Sequence, residues 1–130
     1  MSHLKLYNYF RSSTSFRVRI ALHLKKLDFQ YIPVHLLNHG GEQNQAAYRS
    51  INPMGGVPCL IDGDLPPLAQ SSAIIDYLDE AYPQTYPLLP ESPIERAKIK
   101  EFCQIINADT HAYGNLKTLQ YLEKSYGANQ

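Results

Sequence analysis

The 130-residue chain predicts an α/β domain followed by a stretch of helices alone. Three observations carry this expectation. The chain opens with strand, helix and strand patterns in succession; an Asp-Gly hairpin signal and a capped helix come next; and four prolines between Pro83 and Pro93 close that unit, after which only helix-period patterns remain.

Leu4 to Phe10 is an apolar, aromatic run that reads as a strand, and Phe16 to Lys26 reads as a helix. Phe16, Ile20 and Leu24 fall at i, i+4 and i+8 with Ala21 beside them. This is therefore the face expected to be buried, with Lys25 and Lys26 turned to water. Phe29 to Leu36 alternates apolar with polar residues and reads as a second strand, in which Pro33 requires an edge position or a bulge. A right-handed crossover through the helix makes the two strands parallel. Leu37 to Ser50 is polar and broken at Gly40-Gly41, which predicts a loop leading into a short helix over 42–49. After the turn residues Asn52-Pro53-Met54-Gly55-Gly56, the runs Val57 to Ile61 and Leu65 to Leu68 flank Asp62-Gly63-Asp64 as a β-hairpin. The spacing of Ile74, Ile75, Leu78 and Tyr82 predicts a helix over 71–81, capped by Ser71 or Ser72 and ended by Pro83.

Residues 1–83 are thus read as one domain, 84–92 as a linker and 93–130 as a helical segment. Ser92-Pro93-Ile94-Glu95 has capping-box spacing with proline at the first helical position. Ile99, Phe102, Cys103 and Ile106 give that helix an apolar stripe to about Tyr113, and a further helix follows from Asn115. A stripe this wide needs cover from the first unit, from absent residues or from a second copy of the chain, so self-association is expected. The order βαβαββα, then linker, then helices, is that of a thioredoxin-like domain followed by the start of an all-α domain.

Composition excludes several classes. Twelve basic and twelve acidic residues cancel, so no charge excess steers the chain to nucleic acid or an anionic membrane. No apolar run approaches the ~20 residues of a membrane span, and the N-terminal residues lack the apolar core of a signal peptide, which predicts a cytoplasmic protein. The two cysteines, Cys59 and Cys103, are expected as reduced thiols, Cys59 as a small buried hydrophobe. The five histidines show no metal-ligand spacing, so no metal is expected.

One turn carries more chemistry than the rest. In Phe10-Arg11-Ser12-Ser13-Thr14-Ser15-Phe16-Arg17, four hydroxyl residues fall where a strand passes into a helix. The first N–H groups of a helix lack intrahelical partners and sit at the positive end of its dipole. Hydroxyls there either cap the helix or help hold an anion such as a phosphate, a carboxylate or a thiolate.

Three segments together resemble the zeta class of glutathione transferases, the maleylacetoacetate isomerases: Leu6 to Leu22 around that turn, Asn52-Pro53-Met54-Gly55-Gly56-Val57-Pro58, and Gln70-Ser71-Ser72-Ala73-Ile74-Ile75-Asp76-Tyr77-Leu78. The similarity covers nearly all of residues 4 to 117. The resemblance implies glutathione as cofactor, a cis proline at Pro58, and main-chain pairing of Val57 with the cysteinyl part of the tripeptide. It implies that Gln70 and Ser71 hold the γ-glutamyl carboxylate and that Gln43 lies near the glycyl end. It makes Ser12 the partner of the thiolate, with Ser13 as helper, and Arg17 a source of positive potential on the first helical turn. The implied reaction is the glutathione-dependent cis-trans isomerisation of maleylacetoacetate to fumarylacetoacetate in tyrosine and phenylalanine breakdown, by a homodimer.

The chain also departs from that pattern. Thr14 stands where the family usually has cysteine, and Phe16 where it has tryptophan. His111 and Asn115 match the start of the helical domain, with His111 replacing a glutamine. Because the chain stops at Gln130, most of the helical domain used for the electrophile is expected to be missing. A glutathione-binding or interaction module without turnover is then the alternative to an enzyme.

Overall fold

Leu4–Asn8 forms β1, and its strict alternation decides two faces at once: Leu4 and Leu6 point to one side, Tyr7 to the other. The computed structural model describes residues 3–127 and divides into two units, one up to Leu88 and one from Leu89. In the first unit β1 is followed by α1 (Ser13–Leu24), β2 (Gln30–Pro33), two short 3₁₀ turns (Asn38–Gly40 and Glu42–Asn44), α2 (Ala46–Arg49), β3 (Cys59–Asp62), β4 (Leu68–Ala69) and α3 (Ser71–Ala81). The strands form one mixed sheet in the order β2-β1-β3-β4.

The crossover through α1 makes β1 and β2 parallel, with Leu6 opposite Tyr31. β2 is an edge strand, as Pro33 requires, because a proline has no N–H to give to a further neighbour. β3 runs antiparallel to both β1 and β4, pairing Leu6 with Leu60 and Leu60 with Leu68. The expected hairpin is present, with Leu65 N–H returning to the Asp62 carbonyl at 3.0 Å, but its second strand is Leu68–Ala69 rather than Leu65 to Leu68, since Pro66 and Pro67 have no N–H to give to a ladder.

Leu4, Leu6 and Leu60 meet Val18, Ala21 and Leu22 of α1 and Ile74 and Leu78 of α3 in the main core. On the opposite face of the sheet Cys59 and Val34 pack with Tyr48 of α2, flanked by Tyr7, Ile51 and Val57. Burying each large aliphatic side chain contributes about 1.5–3 kcal/mol.

Four expectations are corrected. First, Phe16, Ile20 and Leu24 are 55%, 44% and 50% exposed, and of the expected stripe only Ala21 enters the core. Both apolar stripes of α1 have helical period. The sheet takes the one carrying Val18, Ala21 and Leu22, with Ser15 buried beside them and its hydroxyl accepting from Tyr9 N–H at 3.4 Å. Second, Lys25 is 2% exposed rather than solvated. Its ammonium donates to Asp79 Oδ1 at 2.9 Å and to the Tyr86 carbonyl at 3.0 Å, an arrangement that sequence spacing does not reveal. Third, α3 has Gln70, not a serine, at its N-cap position, and Gln70 takes the left-handed φ of +73°. Fourth, the helix expected over 42–49 is broken into a 3₁₀ turn and α2, since Gln45 between them is extended.

Asp62 ties α3 to the sheet. Tyr77 and Tyr82 each donate a hydroxyl to Asp62 Oδ2 at 2.6 Å, and His3 Nε2 lies 3.2 Å from Oδ1. The hydrogen bond to the Asp62 carboxylate, helped by partial burial, pushes the Tyr77 phenol up to about 12; burial and the same carboxylate push Tyr82 up as well.

The second unit contains α4 (Pro93–Ile106), a π-helical turn (Asn107–His111), α5 (Ala112–Gly114) and α6 (Leu116–Tyr126). Pro93 opens α4 as expected, but the Ser92 side chain makes no capping bond. Asn115 caps α6 by accepting from Thr118 N–H at 3.0 Å, and Gly127 at φ +66° ends it.

Candidate active site

The β1–α1 turn is fixed from two sides. Asn8 is wholly buried, so both ends of its amide need partners: Nδ2 donates to the Leu6 carbonyl at 3.0 Å, and Oδ1 accepts from Arg19 at 2.8 Å. The Arg19 guanidinium also reaches the carbonyls of Tyr9 at 3.3 Å and Phe10 at 3.2 Å. These two residues were not among the sequence candidates. The available signal was a polar residue closing an apolar strand, which has to be satisfied from somewhere.

Ser12 is the N-cap of α1. Its backbone is extended, and its Oγ accepts from Ser15 N–H at 3.1 Å. The helix therefore starts at Ser13, earlier than the apolar pattern suggested, and Ser13 is its first, exposed residue. Arg17 falls on the second turn of α1, not the first, and is half-buried. Ser12 Oγ also lies 2.9 Å from Thr14 Oγ1, and Thr14 Oγ1 donates to the Val57 carbonyl at 3.0 Å. Two motifs far apart in sequence thus meet at the mouth of α1.

Val57 and Pro58 are joined by a cis peptide bond. The loop before them is held by Tyr48, whose hydroxyl donates to the Gly56 carbonyl at 2.6 Å, and by buried Asn52, whose Nδ2 reaches the same oxygen at 2.8 Å. Burial pushes the Tyr48 phenol up to about 12, so it stays a donor at neutral pH. Gly55 has φ +61°, a backbone conformation that favours glycine because a residue with a Cβ is strained there.

Gln70 approaches this loop through Nε2, 4.0 Å from Met54 Sδ. Its left-handed backbone is costly for a residue with a side chain, and such outliers concentrate at binding sites. Ser71, next in line, is buried at the first position of α3. Gln43 is folded back over Gly41: Nε2 donates to the Leu36 carbonyl at 3.3 Å, while Oε1 is buried without a partner. His111 and Asn115 belong to the second unit, where the Asn115 amide is taken up locally by Thr118 and the Ala112 carbonyl.

Burial pushes the Cys59 thiol up to about 11, which leaves it protonated and unreactive at neutral pH; Cys103 is exposed. Among the described residues no three histidine, cysteine or acidic side chains gather as a metal site, and no helix is long and apolar enough to cross a membrane.

The mixed sheet, the helix entered through a hydroxyl turn and the cis proline facing that turn define a thioredoxin-like domain. Residues 11–81 match the family model for the glutathione S-transferase N-terminal domain, and the chain belongs to the glutathione S-transferase family. Its likeness within that family is to the zeta class. It is 48% identical over 127 residues to a probable maleylacetoacetate isomerase of Vibrio cholerae, a match covering 98% of this chain and 58% of that relative. The structure of the maleylacetoacetate isomerase of Methylobacterium extorquens with bound malonate and GSH superposes with a TM-score of 0.91 at 42% identity, over 96% of this chain and 57% of the other. A bacterial zeta-class maleyl pyruvate isomerase in its holo form gives 0.88 at 40% identity, with 96% and 57% covered. The chain thus spans little more than half the length of the relatives it matches.

Proposed function

We propose that this chain binds glutathione and serves the cis-trans isomerisation of maleylacetoacetate to fumarylacetoacetate, with glutathione transfer to related electrophiles as the accompanying activity. The observation that carries the reading is the meeting of Ser12, Thr14 and the Val57 carbonyl within 3.0 Å steps at the start of α1. Three features fit a tripeptide thiol. A helix N-terminus ringed by hydroxyls suits a sulfur anion. The Val57 main chain beside the cis proline suits an extended peptide. The strained Gln70 and buried Ser71 at the start of α3 suit the γ-glutamyl carboxylate. The buried, partnerless Oε1 of Gln43 is available to a donor at the glycyl end once that side chain turns.

Bound glutathione supplies a thiolate that adds reversibly to the conjugated double bond, which then rotates as a single bond before the sulfur leaves. The chain's part is to ionise and aim that sulfur. Ser12 donates its hydroxyl to the sulfur, Ser13 assists from the exposed first position of α1, and Arg17 adds positive potential. Lowering the thiol from roughly 8.5 by two units corresponds to about 2.7 kcal/mol. Domain limits of 1–83 and 93–130, His111 and Asn115 as further ligand contacts, a cytoplasmic setting and a homodimer belong to the same reading.

The second reading is a glutathione-binding or interaction module without turnover. A coupled assay with maleylacetoacetate and glutathione separates the two. Turnover that Ser12→Ala lowers by about a hundredfold supports the isomerase. Retention on immobilised glutathione without turnover, lost in Ser71→Ala, supports the binding module.

A further inference from the structure

Thr14 touches both halves of the proposed glutathione site, and its hydrogen-bond capacity gives it a task. Its hydroxyl carries one proton and lies 3.0 Å from the Val57 carbonyl and 2.9 Å from Ser12 Oγ. A carbonyl only accepts, so the Thr14 proton goes to Val57 and the Ser12 proton goes to Thr14. Ser12 Oγ meanwhile accepts from Ser15 N–H at 3.1 Å. In this arrangement donation runs from Ser12 to Thr14 to Val57, and the Ser12 proton is already committed.

We propose that Thr14 is a positioning residue that couples the peptide clamp at Val57 to ionisation of the bound thiol, an inference that rests on the glutathione reading above. When a thiol peptide lays an N–H on the Val57 carbonyl, it takes the place of the Thr14 hydroxyl on that oxygen. The Thr14 hydroxyl turns and donates to Ser12 Oγ, and the Ser12 hydroxyl turns and donates to the sulfur. No covalent bond forms or breaks in this exchange, and every oxygen and nitrogen keeps its proton. Two hydrogen bonds within the protein, Ser12 to Thr14 and Thr14 to Val57, give way to one within it, Thr14 to Ser12, and two to the peptide, of which the one to the thiolate is charge-assisted. Donation into Ser12 Oγ also polarises the Ser12 hydroxyl toward the sulfur. Ionisation thereby follows seating of the peptide, the thiol proton passing to bulk water.

The test compares wild type with Thr14→Val and Thr14→Ser, using two probes: glutathione, whose bound thiolate is read by ultraviolet absorbance against pH, and S-methylglutathione, which has no thiol to ionise and reports the clamp alone by calorimetry. Thr14→Val is expected to raise the apparent pKa of bound glutathione by about one unit, a tenfold loss of thiolate below that pKa. S-methylglutathione should bind at least as tightly, because a competitor for the Val57 carbonyl has gone. Thr14→Ser should restore the wild-type pKa. An unchanged pKa in Thr14→Val overturns the coupling, as does parallel weakening of both ligands, which would mark a packing role, or a Thr14→Ser variant that behaves like valine. If Thr14→Val does not fold, Thr14→Ala replaces it with the same expectations. A wild-type chain that takes up neither ligand overturns the glutathione reading and the coupling together, whereas normal wild-type binding with an indifferent Thr14→Val overturns the coupling alone.

Discussion

Cys59 and Cys103 are chemically unlike although both are free thiols. Burial holds Cys59 at about 11, above its unfolded value of roughly 8.5, so between those limits the unfolded chain gives up a proton that the folded one keeps. Stability from this residue is therefore full below about pH 8.5 and falls as pH rises toward 11. A thiol reagent at pH 8 should label Cys103 rapidly and Cys59 only after denaturation; equal labelling rates would contradict the assigned burial. The character of Cys59 was legible from its apolar neighbours. The Lys25–Asp79 pair was not, because Lys25 lies next to Lys26 at a helix end and nothing local distinguishes the buried ammonium from the solvated one. Arg19 was little better marked: two of its partners are carbonyls of a turn, and only Asn8, a polar residue closing β1, carries a side-chain signal.

At the scale of the element, order and pairing were legible and facing was less so. Period-2 alternation gave β1, Pro33 put β2 at an edge, and the Asp-Gly turn gave the β3–β4 hairpin. In α1 two apolar stripes share one period, so periodicity alone does not say which is buried; the sheet takes the Val18, Ala21 and Leu22 side. The two faces predict different mutational costs. Leu22→Ala, in the core, should lower stability by about 2–5 kcal/mol. Ile20→Ala, 44% exposed, should cost about 0.5 kcal/mol. Urea unfolding of the two variants measures both, and an equal loss would mean that the Ile20 face is covered in solution. The candidate site was legible only as a proposal, from the motif residues Ser12, Val57, Gln70 and Ser71. The link between them through Thr14 was not, since it joins side chains distant in sequence.

At the scale of the whole molecule, Ile94, Phe102, Tyr113, Tyr121 and Tyr126 of the second unit are exposed. The proposed homodimer would cover such apolar surface. Light scattering at micromolar concentration should give a mass near twice that of the 14.8 kDa chain; a monomer at all accessible concentrations would contradict the homodimer. The function rests on a narrower claim, that the mouth of α1 ionises a bound thiol. Its most direct measurement is the thiolate absorbance of protein-bound glutathione followed against pH, with Ser12→Ala as the comparison. The bound thiol should titrate near 6.5, about two units below its free value, and return most of the way to that value in Ser12→Ala. Glutathione that binds the folded wild-type protein yet titrates as it does in free solution would contradict the account.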